Sequence, residues 1–466
     1  MKIIIIGIGK IGYGLAQSLS YQGYDITVID KNSTVIGKVE STLDVMPIKG
    51  DAFSMDTLLT AGCKDADFVI TTTGKDEMNM LCCLMAKQLG AKYTIACIRE
   101  PKHAKEFLLT KTALGIDLIM NPSETLANEI AHLVTLPGVI KLHDFAKGLV
   151  RMAGFVVKEN MPIVGMSLKS IVSLYNLPIS IGAISRNHQL IIPNEDFCLK
   201  SEDIIFIFGK PHDVYNFARV FLSLPCKMQH FIIVGGSRIT YYLVPLLEEI
   251  GIRVKIIEKN SERCKELTDA LPNSLIINGN GTDGILLHGE QLQKADGFIA
   301  LTDCDEDNII SSIIAQQASV KYIITKTSKN LCPIHTIPLG LEIMLQPQEV
   351  LINPILKCIG SPSLENLYYI LGDHGEISEW FVTKEDKVIA IPISKLHLIP
   401  DVRIAIIVKG NTVVIPTGND CIEAGDHVIL IAKNHIHNFN DIVTSAGGVA
   451  SEFKNHIKKL RNVISM

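Results

Sequence analysis

Three glycines and a carboxylate at fixed spacing carry the first chemical signal of this chain. Gly7-Ile8-Gly9-Lys10-Ile11-Gly12 follows the apolar run Ile3–Ile6 and leads into a helical pattern. In a G-x-G-x-x-G turn each glycine has a separate task. Gly7 permits the tight turn, Gly9 leaves the backbone bare for a diphosphate, and Gly12 lets the helix pack closely on the sheet. The free amides and dipole of the helix start favour the anion. Asp30 ends the next apolar strand, where a carboxylate accepts hydrogen bonds from both ribose hydroxyls and repels a 2′-phosphate, so NAD is expected over NADP.

Further polar groups fall at the carboxyl ends of later strands, the edge at which ligands lie in such folds. Asp51, in Gly50-Asp51-Ala52-Phe53, stands where an acid flanks the adenine end; a turn aspartate is the other reading. Thr72, Thr73 and Gly74 end the fourth strand and are expected to line the nucleotide. Asp76 and Glu77 read as caps of the helix that follows.

The elements that must position these groups are written twice. Gly7 and Asp30 lie 23 positions apart, as do Gly235 and Glu258. Thr27–Ser33 (TVIDKNS) matches Lys255–Ser261 (KIIEKNS), and Ala66–Asn79 matches Ala295–Asn308, with Asn79 paired to Asn308. Ile191–His212 lines up with Val414–His435. The chain therefore reads as two tandem units, each a larger lobe followed by a smaller one.

The larger lobe alternates strands (Ile3–Ile6, Asp25–Ile29, Met46–Lys49, Phe68–Thr71, Tyr93–Ala96, Leu118–Met120) with helices (Lys10–Tyr21, Thr57–Ala61, Glu77–Leu89, Pro101–Lys111, Glu124–Val134). Strands that are apolar without alternation are buried on both faces, so an α/β fold with a doubly wound parallel sheet is expected. The smaller lobe, Leu149–Leu222 and again Glu379–Val443, reads as short strands around one helix, Ser167–Ser173, a small α+β module. Boundaries are expected at 1–136, 140–224, 228–356 and 362–446, with a tail at 447–466. Hinges are expected at Thr135–Val139, Ser223–Met228 and Gly360–Ser363.

The second glycine turn is worn. It reads Gly235-Gly236-Ser237-Arg238-Ile239-Thr240, with serine in place of the middle glycine and threonine in place of the last. A β-branched Thr240 is expected to push its helix off the sheet, and Ser237 to narrow the phosphate approach. Asn280 stands where Asp51 did, while Glu258 keeps the ribose-binding position. The second fold is expected to persist with a pocket that binds nucleotide weakly, differently or not at all.

Bulk properties narrow the function classes. At 466 residues the chain is long enough for about three or four domains. A hydrophobic share of 47% supports sizeable cores, and a net charge of −5 argues against nucleic acid. The apolar runs are strand length, short of the ~20 residues of a membrane span. Lys2 and its isoleucine run break at Gly7 without a cleavage site, so a cytosolic start is expected. The 11 cysteines form no CxxC and no zinc spacing. No histidine, tyrosine–lysine or paired-carboxylate pattern recurs beside the turns; His212 and His435 do recur, and read as helix caps. What is duplicated is scaffold and ligand pocket, which suits a sensor and no enzyme.

MKIIIIGIGKIG, DITVIDKN, KGDAF, TTTGKDEMN, IREP and AGDHVILI together closely resemble the TrkA family, peripheral nucleotide-binding subunits of bacterial Trk potassium uptake. The resemblance covers nearly the whole chain. It implies two RCK (regulator of potassium conductance) N lobes, Rossmann-like, alternating with two RCK C lobes. It implies a homo-oligomeric ring on the cytoplasmic face of a membrane potassium-translocating subunit of the TrkH or TrkG type, gated by NAD(H) and in some members by ATP or ADP. Carried over by motif, the contacts fall on Gly7, Ile8, Gly9, Lys10, Ile11, Asp30, Thr73 and Gly74. The family often ends its fifth strand with R-x-R. This chain has Cys97-Ile98-Arg99, keeping only Arg99, and in the second lobe Lys326 stands at the place of Cys97. A soluble NAD-dependent oxidoreductase, or an RCK regulator of another channel or antiporter, are the alternatives.

Overall fold

The computed structural model describes residues 1–21, 23–100, 114–175, 177–187, 189–222, 228–328, 336, 339–359, 361–370, 375–436 and 438–443. The expected helix at 101–111, the hinge residues 223–227 and 360, and the tail at 447–466 lie outside the described residues.

The first large lobe runs β1 (Lys2–Ile6), α1 (Lys10–Tyr21), β2 (Asp25–Asp30), α2 (Ser33–Thr42), β3 (Met46–Lys49), α3 (Met55–Thr60), β4 (Phe68–Thr71), α4 (Asp76–Leu89), β5 (Tyr93–Cys97), β6 (Leu118–Met120) and α5 (Pro122–Val134). The first small lobe follows with β7 (Lys141–Phe145), β8 (Val150–Val156), α6 (Leu168–Tyr175), β9 (Ile179–Arg186), β10 (Gln189–Ile191), β11 (Ile204–Gly209) and α7 (Pro211–Phe221). The second large lobe is β12 (His230–Val234), α8 (Arg238–Glu249), β13 (Arg253–Glu258), α9 (Ser261–Ala270), β14 (Leu275–Asn278), α10 (Gly284–Gly289), β15 (Gly297–Ala300), α11 (Asp305–Gln317), β16 (Tyr322–Lys326), β17 (Ile343–Leu345) and α12 (Pro347–Ile359). The second small lobe is β18 (Leu364–Tyr369), β19 (Glu376–Phe381), β20 (Val402–Lys409), β21 (Thr412–Val414) and β22 (His427–Ala432).

These pieces form two compact units, and chain order is not the order of packing. One unit joins Met1–Ile140 to Ser223–Ile355, so it holds both large lobes; the other holds Lys141–Leu222 and the chain from Leu356. The chain leaves the first unit just after the expected hinge at Thr135–Val139.

In the first unit each lobe is a six-stranded sheet, ordered β3-β2-β1-β4-β5-β6 and β14-β13-β12-β15-β16-β17. Both are parallel throughout. Ile3 to Ile6 sit between Ile26–Ile29 on one side and Phe68–Thr71 on the other, and all four are buried. That double burial is why the run does not alternate. The order reverses between β1 and β4, and a doubly wound sheet opens its crevice at the carboxyl ends there. Helix α2 escaped the sequence reading. Its start is written in Asn32, whose side chain accepts from Thr34 N; Asn260 does the same for α9, accepting from Glu262 N and Arg263 N. Asn121 with Pro122 begins α5 in the same way.

The second unit contains two five-stranded sheets, β10-β9-β11-β8-β7 and β18-β19-β22-β20-β21, antiparallel throughout. The first small lobe has two helices, not one: α7 buries Val214, Phe217, Ala218 and Phe221. The histidines read as caps have other roles. His212 lies inside the first turn of α7 and meets Asn216 at 3.0 Å, and His435 Nδ1 pairs with the buried Glu376 at 2.5 Å.

Candidate functional site

The first turn is built by mutual exclusion of side chains. Gly7 has φ +89°, a conformation that disfavours side chains, and its N–H donates to Ile29 O at 2.9 Å. A Cβ on Gly12 would stand 2.1 Å from Gly7 O and 2.6 Å from Thr72 Oγ1, so the α1 start touches the turn directly. A Cβ on Gly9 would meet nothing within 4 Å. Gly12 is bare because protein fills its place, whereas Gly9 is bare beside open space.

Asp30 reaches across this turn. Its Oδ2 accepts from Ile8 N at 2.7 Å and its Oδ1 from Asn32 N at 2.8 Å. The carboxylate thereby ties β2, the turn and the start of α2 together, and each oxygen keeps a lone pair toward solvent. Ile8 acts through that amide; its side chain is in the core.

At the end of β4 the two threonines are turned inward. Thr72 Oγ1 donates to Gly7 O at 2.5 Å. Thr73 Oγ1 donates to Asn79 Oδ1 at 2.6 Å. Their hydroxyls fix the loop, and Thr73 and Gly74 line the crevice. Asn79, fully buried on α4, is the hub: Oδ1 also accepts from Thr73 N at 2.8 Å, and Nδ2 donates to Cys97 O at 2.7 Å and Thr73 O at 3.3 Å. It locks the end of β4 to the end of β5. Asp76 is not a cap; its buried carboxylate accepts from Arg99 N at 3.0 Å and Glu100 N at 2.8 Å, holding the chain after β5. Both residues matched across the repeat, and that pairing was the only sequence signal of their part. Asp51 is exposed and accepts from Phe53 N at 3.0 Å, a turn contact that leaves its other oxygen outward. Arg99 brings Nη2 to 3.5 Å from Thr72 O, while its buried Nε has no hydrogen-bond partner among the described residues. An orphaned guanidinium N–H costs free energy unless an acceptor arrives.

The second turn solves the same packing problem with different residues. Gly235 has φ +101°. Thr240 does not push its helix away. It is fully buried, and its Oγ1 donates to Gly235 O at 2.6 Å, the bond Thr72 makes to Gly7 O in the first lobe. Leu301 stands at the position of Thr72, so the hydroxyl has moved from strand end to helix while the bond is kept. Ser237 caps α8. Glu258 repeats Asp30, accepting from Gly236 N at 2.6 Å and Asn260 N at 2.7 Å. Gly236 stands at the place of Ile8, and a Cβ there would lie 2.4 Å from Leu267 Cδ1, so α9 fills the space that the Ile8 side chain takes in the first lobe.

Both turns open into one cleft of 2120 Å³, lined by every residue expected at the site except Ile8 and Gly12, and on its far side by Ser237, Arg238, Glu258, Arg263 and Lys326. The two large lobes meet around it. Asn121 Nδ2 donates to Tyr242 OH at 2.8 Å, joining α5 to α8, and burial pushes that phenol up to about 12. Gln348 on α12 packs over Gly14 on α1. Arg238 Nε lies 3.3 Å from Glu100 Oε2. None of these cross-lobe residues is legible without the packing of the two lobes. Among the described residues no cluster of histidine, cysteine and carboxylate fit for a metal occurs, and no helix is long and apolar enough to cross a membrane.

Comparison with known proteins agrees with this architecture. The TrkA-N domain model matches residues 3–122 and 231–331, and the TrkA-C domain model residues 152–222. The chain is 30% identical over 441 residues to the Trk system potassium uptake protein TrkA homolog 1 of Methanosarcina mazei, covering 93% of this chain and 97% of the relative. It is 32% identical over 435 residues to the TrkA homolog of Archaeoglobus fulgidus, covering 93% and 97%. It is 30% identical over 437 residues to the TrkA protein of Halomonas elongata, covering 92% and 95%. In fold it is similar to the GsuK RCK domain, with a TM-score of 0.60 at 16% identity over 93% of this chain and 92% of the other. The GsuK channel bound to NAD gives 0.59 at 16% identity, over 93% and 76%.

Proposed function

The chain belongs to the TrkA family, and on that premise we propose that it is a nucleotide-sensing regulatory subunit of a potassium uptake system. It binds NAD(H) in the first large lobe, with ATP and ADP as competitors for the same seat, and gates a membrane potassium-translocating subunit of the TrkH or TrkG type. It works as a homo-oligomeric RCK ring on the cytoplasmic face, its lobes divided at 1–136, 140–224, 228–356 and 362–446. The nucleotide is read and released unchanged.

One observation carries the reading. A bare, open Gly9, the Asp30 carboxylate and Arg99, whose buried Nε has no partner among the described residues, line one cleft that two lobes share. The amides of Gly9 to Ile11 at the start of α1 receive the diphosphate, Asp30 takes the ribose hydroxyls, and the Thr73–Gly74 backbone flanks the nicotinamide half. Asp51 stands by the adenine and Arg99 balances phosphate charge. Because the cleft lies between lobes, occupancy changes their spacing, and differential affinity for two spacings is all that a gate requires.

Asp30→Ala is expected to weaken NADH binding by about 10- to 100-fold, since charge-assisted hydrogen bonds contribute ~1.5–3 kcal/mol. Titration calorimetry on the purified chain measures it, with ATP and ADP run in parallel. Equal affinity in the variant would remove the ribose assignment. Oxidation of NADH by the chain would return the reading to an oxidoreductase.

A further inference from the structure

The two lobes meet the cleft with unequal charge. On one side Arg238, at the start of α8, faces Glu100 beyond β5 of the first lobe, and the two charges are opposite. Elsewhere in the cleft Lys10, which stands at the start of α1 where α8 has Arg238, and Lys326, at the end of β16 of the second lobe, carry like charges. Lys326 is 7% exposed. Among the described residues its ammonium meets one carboxylate, Asp303 at 3.4 Å, whose side chain lies out in solvent. Desolvation lowers its pKa most, and the charge of Lys10 lowers it further against the pull of Asp303 and Asp305. A buried cation with one loose partner, facing a second cation, is held at a cost unless an anion sits between them.

The first lobe lacks the matching charge. At the position of Lys326 it has Cys97, wholly buried, whose thiol burial pushes up to about 12. The first turn therefore has room above Gly9 and Arg99 on one side, but no cation at the end of β5 itself. The second turn is the poorer seat for a phosphate: Ser237 stands at the place of the bare Gly9 and caps α8, and Arg238 is paired to Glu100.

We propose that Lys326 of the second lobe binds the diphosphate held on the first lobe's glycine turn, so that one dinucleotide is clamped between Lys10 and Arg99 on one lobe and Lys326 on the other. This rests on the nucleotide reading above and adds how the ligand is sensed. The phosphates bridge two lobes, and their departure leaves like charges facing each other, which drives the lobes apart. The degenerate second lobe is then a working half of the first site.

The test uses the full chain and two probes, NADH and adenosine, the second lacking any phosphate. Lys326→Gln is expected to lower NADH affinity by at least about tenfold with adenosine binding unchanged, and Lys326→Arg to keep most of the affinity. The ligand-free melting temperature of Lys326→Gln is expected not to fall, since a desolvated charge is removed. Native NADH affinity in Lys326→Gln overturns the clamp while leaving the nucleotide site standing. Equal loss of NADH and adenosine overturns it in favour of a packing role. Loss of a separate second binding event, with the first intact, overturns it in favour of a site on the second lobe. A wild-type chain that binds neither probe removes the nucleotide reading itself, and the clamp with it.

Discussion

Gly12→Thr is expected to destabilise the first large lobe by about 3 kcal/mol or more and to abolish NADH binding, and a second substitution, Thr72→Leu, is expected to restore part of both. The new Cβ would lie 2.1 Å from the carbonyl oxygen of Gly7 and 2.6 Å from Thr72 Oγ1, so helix and turn must separate. That separation moves the first-turn amides of α1, and they are the proposed diphosphate seat. The second lobe tells how far a threonine is tolerable. There Thr240 is buried and donates to Gly235 O at 2.6 Å, because Leu301 does not present a competing hydroxyl. Importing the pair gives the first lobe the same solution: threonine on the helix makes the bond that Thr72 made from the strand. The two positions share one acceptor, so their effects are non-additive, with a coupling of about 1–3 kcal/mol. Thermal melting of the single and double variants, each with and without NADH, measures it. Additive losses would mean that the hydroxyl exchange between the lobes has no energetic content.

That exchange also explains why the second turn misled the reading of sequence. Thr240 looks like damage when the turn is compared with G-x-G-x-x-G position by position. Its compensation at Leu301 lies 61 positions on, and nothing local connects the two. By contrast the strands of both parallel sheets were legible, because burial on both faces leaves an unbroken apolar run. Asp30 and Glu258 were legible too, since a carboxylate at a fixed distance from a glycine turn is a short-range signal. Helix α2 was missed through its polarity, though Asn32 marks its start. Thr72 and Thr73, just beyond β4, line the cleft while their hydroxyls bond within the loop, because a hydroxyl at a strand end serves backbone and ligand equally well on paper. What the chain could not disclose was that its two large lobes share a unit and a cleft. Arg238 and Glu100 meet only through that packing, 138 positions apart.

Asn79→Leu is the severest test of how the loop reaches the ligand. Side chains of similar volume make this a loss of hydrogen bonds with little loss of packing. Thr73 N, Thr73 Oγ1 and Cys97 O would each lose a partner inside the fold, at distances of 2.8, 2.6 and 2.7 Å in the native chain. Buried groups left unsatisfied cost about 1–3 kcal/mol each, and with relaxation a total near 4 kcal/mol is expected. The ends of β4 and β5 then lose their register, and with them the Thr73–Gly74 backbone and Arg99, so NADH affinity should fall by more than about tenfold even where the lobe stays folded. Asn308→Leu is the matched control. It breaks the same set in the second lobe, including the bond from Nδ2 to Lys326 O at 3.0 Å, with a similar destabilisation. If the second lobe were a bystander, NADH binding would not respond. With Lys326 on the diphosphate it must respond, since Asn308 holds the backbone from which that ammonium reaches into the cleft. Melting and calorimetry on the two variants thus separate a lobe that only supports the fold from one that closes on the ligand.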